Sequence, residues 1–166
     1  MTMQPPAEPF SELPSAWGAL FDGRRLTEKQ ADAAILTTVD SEGWAHICFI
    51  GAGEVLADQG RVYMALWPGS CTASNLRSGG RASLAAVLDG AVWEARMEVR
   101  FREQGAAAGA LTVFEATIVG VRRHPVPYAQ VERLVGFTLN DPERVIARWS
   151  EQIDMLRRVA TDRGRR

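Results

Sequence analysis

The alternation of hydrophobic and polar residues predicts a chain built mainly of short β-strands. Residues 94–102 are the clearest case, because Met97, Val99 and Phe101 fall on one face of an extended chain and charged residues on the other. A period of two is typical of a strand with one buried face. Five further apolar runs are bounded by turn residues and are predicted strands as well: 34–39, 44–50, 62–67, 81–88 and 111–121.

A helix is predicted between the third and fourth of these strands. The turn at Pro68 leads to Ser70, a good N-cap residue, and Gly79-Gly80 suits the left-handed conformation that ends a helix. A helix start offers unpaired backbone N–H groups and the positive end of the helix dipole. A phosphate group is therefore one candidate ligand there. A capped surface helix that binds nothing is the alternative.

Two more helices are predicted after the last strand. Residues 130–137 form the shorter one. Asn140-Asp141-Pro142-Glu143 starts the longer one with a cap residue, a proline in the first turn and an early acid. Apolar residues then recur at helical spacing, at Ile146, Trp149, Ile153, Leu156 and Ala160. We expect this stripe to dock on the rest of the protein.

About six strands with few helices between them favour a small antiparallel barrel over a parallel α/β sheet. The expected single domain covers residues 1–166. Its predicted parts are an extended, proline-rich segment at 1–14, a short helix at 15–21, the barrel at 30–122, a flexible loop at 105–109 and the C-terminal helices at 128–162.

Composition and charge narrow the classes of function. A net charge of −1 gives no general electrostatic reason to bind nucleic acid or an anionic membrane. Cys48 and Cys71 do not suggest a disulfide scaffold, and no Cys/His spacing indicates a zinc site. The N-terminus lacks the pattern of a signal peptide, and no apolar run reaches the length of a membrane span. We therefore expect a cytoplasmic protein.

The order of motifs resembles the pyridoxamine 5'-phosphate oxidase-like flavin-binding split barrels. The segments that carry the resemblance read AILTTVDSEGWAHICFI, RVYMALWPGS and TASNLRSGGRASLAAV, within residues 30–122. The matching positions are Val39, Asp40, Gly43, Ala45, His46, Ser70, Asn75, Leu76, Arg81, Ala82 and Leu84.

The resemblance implies a fold and a cofactor. The fold is mainly β: a six-stranded antiparallel split β-barrel, here with a short inserted helix and two C-terminal helices. The resemblance also implies a homodimer with FMN in a groove between the subunits, the phosphate at the helix start and the ring along two strands. The cofactor-binding residues that it implies are Ile47, Cys48, Phe49, Ala65, Leu66, Trp67, Ser70, Cys71, Thr72 and Asn75.

The chain departs from the oxidase at the phosphate. Where the oxidase has an arginine on the second strand and an Arg-Lys pair after the helix-start serine, this chain has Cys48, Cys71 and Thr72. Each charge-assisted contact of this kind is worth about 1.5–3 kcal/mol. FMN binding therefore needs replacement donors, such as Arg61 or Arg77. Oxidation of the vitamin itself is not expected.

Two classes of function stay open at this point. One is a flavin-dependent oxidoreductase of unknown substrate, in which the flavin supplies the redox chemistry. The other is a non-catalytic binding or scaffold protein on the same barrel, with flavin binding weakened or lost, or with a deazaflavin or haem instead. Trp67 either stacks on the ring or covers an interface. His46 is either an acid/base or haem-ligand residue or a structural one.

Overall fold

The computed structural model describes residues 8–10, 12–104 and 110–162. Eight strands and three helices are present in this part of the chain. The strands are β1 (Glu8–Phe10), β2 (Ala33–Val39), β3 (Ala45–Gly51), β4 (Val55–Asp58), β5 (Arg61–Leu66), β6 (Arg81–Leu88), β7 (Ala91–Gln104) and β8 (Thr112–His124). The helices are α1 (Ser15–Leu20), α2 (Cys71–Gly79) and α3 (Pro142–Asp162).

The strands form one antiparallel sheet in the order β3-β2-β6-β7-β8-β5-β4. The long strand β8 pairs with β5 along its first half, and β1 pairs with its second half, with Pro9 opposite Arg122. The predicted antiparallel barrel, interrupted by a helix after the third predicted strand, is therefore confirmed. Because β3 and β4 are the ends of the series, the barrel is open between them.

The core inside the curved sheet follows the alternation seen in the sequence. Leu36 of β2, Leu84 of β6 and Met97 of β7 point inward and are buried. Leu76 of α2 packs into the same cluster, so α2 covers one end of the half-barrel. The helix ends as predicted at Gly80, which has φ 63° and ψ 19°. Glycine accepts this left-handed conformation without a Cβ penalty.

A second core lies on the outer side of the sheet, under α3. Trp149, Ile153 and Leu156 are buried there against residues of β4 and β5. The predicted docking stripe is therefore confirmed, and its partner is the sheet. Trp149 lies directly on the backbone between β3 and β4, where a Cβ on Gly53 would collide with the indole ring. This contact explains why the corner between these strands is glycine-rich.

The predicted count of six strands is wrong. Strand β4 lies between β3 and the turn before β5, and its Val55 and Leu56 are both buried. Burial on both faces removes the alternation that would identify a strand, and four residues are too few to show any other period. Strand β1 lies in the proline-rich segment, where its sequence carries no strand pattern.

The shorter C-terminal helix, predicted at 130–137, is also wrong. This segment is irregular, and its backbone bonds to other parts of the fold: the Val131 N–H donates to the Gly90 carbonyl at 2.9 Å, and Gly136 forms a bridge with Asp32. Such contacts replace the bonds along the chain that a helix needs, and the β-branched Val131 and Val135 favour the extended form. One C-terminal helix, α3, is therefore present where two were expected.

Two other predicted segments lie wholly or partly outside the residues that the structure describes. Residues 105–109, the predicted loop, and residues 1–7 of the N-terminal segment lie outside the described residues. No helix in the described part of the chain is long and apolar enough to cross a membrane.

Candidate functional site

The start of α2 has the geometry that its sequence predicts. Ser70 is extended, with φ −76° and ψ 150°, and its Oγ accepts a hydrogen bond from the Ala73 N–H at 3.1 Å. The same hydroxyl donates to the Trp67 carbonyl at 2.8 Å, which fixes the turn between β5 and α2. The first-turn amides of Cys71 and Thr72 have no acceptor within the helix. The turn therefore presents a helix N-terminus beside Trp67.

Three of the predicted cofactor-binding residues expose large apolar side chains. Ile47 and Phe49 are 57% and 59% exposed on the outer side of β3, and Trp67 is 52% exposed at the end of β5. Alternation along β3 places Ile47 and Phe49 on the same face, opposite Thr37 and Ile35 of β2. Exposed apolar residues in a row indicate a surface that meets a ligand or a partner.

Most of the other predicted residues on the strands and helix are less accessible. Ala65, Leu66 and Thr72 are buried, so the side chains of the first two fill the cores on opposite sides of β5. Asn75 donates from Nδ2 to the Thr38 hydroxyl at 3.0 Å and thereby ties α2 to β2. Cys71, at the first position of α2, is exposed.

The side chain of Cys48 lies on the inner face of the sheet, opposite to the exposed face of β3. Burial raises the pKa of its thiol; a hydrogen bond with Thr72 opposes this shift, and the nearby charge of Glu54 adds to it. His46 is half-buried on the same side of β3, opposite Thr38. Alternation thus divides the predicted residues of β3 between the exposed face and the interior.

A cleft of about 760 Å³ opens beside Trp67 and was not predicted from the sequence. Its walls come from Glu54, Phe137, Arg144, Arg148 and Trp149, among others. The residues lie far apart in the sequence and meet only because α3 folds back over the corner between β3 and β4. The only local signal was the spacing of four between the two arginines, next to the docking stripe.

Glu54 is the titratable group deepest in this cleft. Its Oε2 accepts a hydrogen bond from the Gly51 N–H at 2.7 Å. Burial raises the pKa of the Glu54 carboxyl, while the Gly51 N–H and the charge of Arg148 partly oppose that shift. Perturbed carboxyl groups inside clefts are candidates for binding or proton transfer.

The two arginines considered as replacement donors for a phosphate are engaged elsewhere. Arg61 forms an ion pair with the buried Glu115, with Nη1 3.2 Å from Oε1. The Arg77 guanidinium lies 4.6 Å from the centre of the Phe101 ring, at the end of α2 opposite Ser70. The arginines that share a cleft with Trp67 are Arg144 and Arg148 of α3.

Two features of the structure suit the two parts of a flavin nucleotide. Unpaired first-turn amides suit a phosphate, and the exposed apolar residues of β3 together with Trp67 suit a flat ring system. A metal site has no support in the described part of the chain, where no group of three His, Cys, Asp or Glu residues could hold an ion.

Comparisons with known proteins agree with this architecture. The uncharacterized protein YclD of Bacillus subtilis is 33% identical over 141 residues, which are 84% of this chain and 92% of YclD. HupZ of Group A Streptococcus superposes with a TM-score of 0.54, at 12% identity, over 72% of this chain and 99% of HupZ. A pyridoxamine 5'-phosphate oxidase-like protein of Lactobacillus delbrueckii gives a TM-score of 0.53, at 14% identity, over 72% and 98% of the two chains. No protein-family model matches the chain.

An open antiparallel sheet whose end is covered by one capped helix defines the class of split-barrel proteins. The chain belongs to the same family as YclD, and it has the fold of the pyridoxamine 5'-phosphate oxidase-like split-barrel proteins. The split-barrel fold predicted from the residues of β2, β3, β5, α2 and β6 is thereby confirmed. At these low identities the two superposed structures show the fold alone.

Proposed function

We propose that this protein binds FMN and acts as a flavin-dependent oxidoreductase on a small molecule. The observation that carries the proposal is the capped start of α2, which follows the exposed Trp67 directly and lies against β3, where Thr72 hydrogen-bonds Cys48. The exposed apolar side chains of β3 add a surface for a flat ring. When bound, the flavin supplies the redox chemistry, and the protein positions the ring and excludes water.

Different residues of this chain bind the phosphate and the ring of the flavin. The first-turn amides of α2 bind the phosphate, with Cys71 at its edge, while the Ser70 hydroxyl holds the turn by donating to the Trp67 carbonyl. Ile47, Phe49 and Trp67 cover the ring. Ala65 and Leu66 support the ring through the backbone of β5, because their side chains are buried.

We propose further that the protein is a homodimer joined through what we call the bare face, formed by Val39, Ile47 and Phe49. All three side chains are more than half exposed on the outer side of β2 and β3. Contiguous apolar surface of this kind marks an interaction site. A second copy on this face turns the exposed strip of β3 into one wall of a groove. The cytoplasmic location stays a prediction.

A specific observation favours a second candidate, a non-catalytic binding or scaffold protein. No cation stands at Cys48, Cys71 or Thr72, and the thiol of Cys48 and the hydroxyl of Thr72 face the interior. A phosphate carries nearly two negative charges, and helix amides with hydroxyls compensate only part of its desolvation. A deazaflavin or haem is compatible with the same exposed apolar face.

The absorbance spectrum of the purified protein, followed by titration, separates these candidates. We expect a yellow protein with a band in the blue, and a flavin-free form that quenches added FMN. Riboflavin is the matched control, because it has the same ring and no phosphate. Tighter binding of FMN than of riboflavin is expected if α2 takes the phosphate. Binding of neither would favour the scaffold, and a haem or deazaflavin spectrum would replace FMN.

A further inference from the structure

The cleft beside Trp67 has the size and mixed lining of a small-molecule site. Its volume of about 760 Å³ lies within the range of ligand pockets in proteins. Trp67, Phe137 and Trp149 give it aromatic walls, and Glu54, Arg144 and Arg148 give it charge. Trp67 also belongs to the proposed flavin site, so the two sites adjoin.

The carboxylates that line this cleft are already bound to backbone amides. Glu54 accepts from the Gly51 N–H, and Asp141 caps α3 by accepting from the Arg144 N–H at 3.2 Å. Both groups thus have a fixed role in the fold, one at the corner between β3 and β4 and the other at the start of a helix.

The arginines of the cleft are not committed in this way. Among the described residues, neither the Arg144 nor the Arg148 side chain forms an ion pair or a hydrogen bond, and Arg148 only acts on Glu54 through its charge. The two residues are one helical turn apart, so their side chains project from the same side of α3. Guanidinium groups bind carboxylates and phosphates with paired hydrogen bonds.

We propose that this cleft binds an aromatic anion, with its negative group on Arg144 and Arg148 and its ring against Trp67. The pairing of two uncommitted cations with aromatic walls carries this inference. Identification of the anion as the substrate of the oxidoreductase rests on the proposed flavin site. The proposal that the cleft binds such an anion does not depend on the flavin site.

Calorimetric titration with a matched pair of probes tests the proposal. The probes are 2-naphthoate and 2-naphthalenemethanol, which share the ring and differ in charge. We expect naphthoate to bind more tightly. The double variant Arg144→Gln/Arg148→Gln should weaken naphthoate at least tenfold and leave the alcohol unchanged. Trp67→Ala should weaken both probes.

Arg158→Gln is the matched control, because Arg158 is an exposed arginine of α3 outside the cleft. All of the substituted side chains are exposed, so the variants are expected to fold. The proposal is overturned if Arg158→Gln weakens naphthoate as much as the double variant does. Equal affinities of the two probes for the wild type, or no binding of either in the millimolar range, would also overturn it.

Titration of both flavin-free and FMN-loaded protein separates this proposal from the proposed function. Arginine-dependent naphthoate binding to a protein that takes no flavin would sustain the cleft and refute the flavin site. In the loaded protein, naphthoate should change the absorbance of the flavin, because the sites share Trp67. An unchanged flavin spectrum at saturating naphthoate would refute the assignment of the anion as substrate.

Discussion

Two apolar regions on the outer surface of the same sheet differ in whether another part of the chain covers them. Over β4, β5 and β8, the apolar side chains Leu56, Tyr63 and Val113 are buried beneath α3. Over β2 and β3, the bare face of Val39, Ile47 and Phe49 has no cover among the described residues. The first surface is covered within the chain. For the second, the cover that we propose is another copy of the protein.

The difference between the faces has a thermodynamic consequence. Burial of one large apolar side chain is worth about 1.5–3 kcal/mol. The face under α3 therefore contributes to the folding of the single chain, whereas the bare face contributes only when a partner binds. Substitutions on the two faces should change different measured quantities: the free energy of unfolding for the first, and the dissociation constant for the second.

The largest effect is expected at the centre of the covered face. Trp149 is 2% exposed and packs on the glycine-rich corner between β3 and β4. Trp149→Ala should lower the free energy of unfolding by about 3–5 kcal/mol, as truncation of a buried tryptophan does. Chemical denaturation measures it, with Trp44→Ala as the control because Trp44 is 71% exposed. To separate folding from dimerisation, the unfolding of both variants should be measured at several protein concentrations. Equal losses in both variants would show that burial beneath α3 does not make Trp149 more stabilising than an exposed tryptophan.

The next effect concerns the bare face. Phe49→Asp places a charge in the proposed dimer interface, where burying an unpaired carboxylate is unfavourable. Light scattering should change from about twice the chain mass of 18.2 kDa to the monomer mass, with a dissociation constant weakened by about two orders of magnitude. Val119→Asp is the control, because Val119 has the same exposure, 58%, on β8. A wild-type protein that is monomeric at micromolar concentration would contradict the proposal.

The sequence predicted those parts of the fold whose signals are local. The cap at Ser70, the end of α2 at Gly80 and the stripe through Trp149 each depend on neighbours within a few turns, and all are confirmed. The helix predicted at 130–137 is wrong for the opposite reason. The conformation of this segment is determined by contacts with Gly90 and Asp32, which are distant in the sequence.

The same distinction holds for the site. Alternation alone predicts that Ile47 and Phe49 share a face, and the structure places them together. The cleft was not predicted, because Glu54, Trp67 and Arg148 come from a strand corner, a turn and a distant helix. These residues come together only because of where α3 docks. The helical stripe predicted that α3 docks on the protein, but it did not predict the position.

A smaller effect is expected at the start of α2. Cys71→Arg adds a cation at the first position of α2, where the related oxidase has one. We choose this position because Cys71 is exposed, whereas Thr72 is 2% exposed and has no room for a long charged side chain. FMN affinity, measured by fluorescence quenching, should rise about tenfold, since a charge-assisted bond is worth about 1.5–3 kcal/mol. Riboflavin affinity should not change.

Ser78→Arg controls for a general increase in positive charge, because Ser78 is exposed near the other end of α2. It should leave FMN affinity unaltered. If Cys71→Arg and Ser78→Arg increase FMN affinity equally, the phosphate does not lie at the start of the helix, and the assignment of that start as the phosphate site fails.

The smallest effect is expected at Glu54, in the corner where the chain passes from β3 to β4. Burial raises the pKa of this carboxyl above its ordinary value of 4.5, against the opposing influence of the Gly51 N–H and Arg148. The folded state therefore holds its proton more tightly than the unfolded state does. The resulting stabilisation is complete below about pH 4.5 and is lost as the pH rises through the pKa of the folded protein. Glu54→Gln stays neutral and keeps an oxygen to accept from the Gly51 N–H. Its stability relative to the wild type should therefore increase from about pH 4 to pH 8, measured by urea denaturation at each pH. Glu42→Gln, at an exposed turn position, should follow the wild type throughout. A Glu54→Gln variant that loses stability relative to the wild type as the pH rises would show that the ionised carboxylate is held by Arg148 and stabilises the fold.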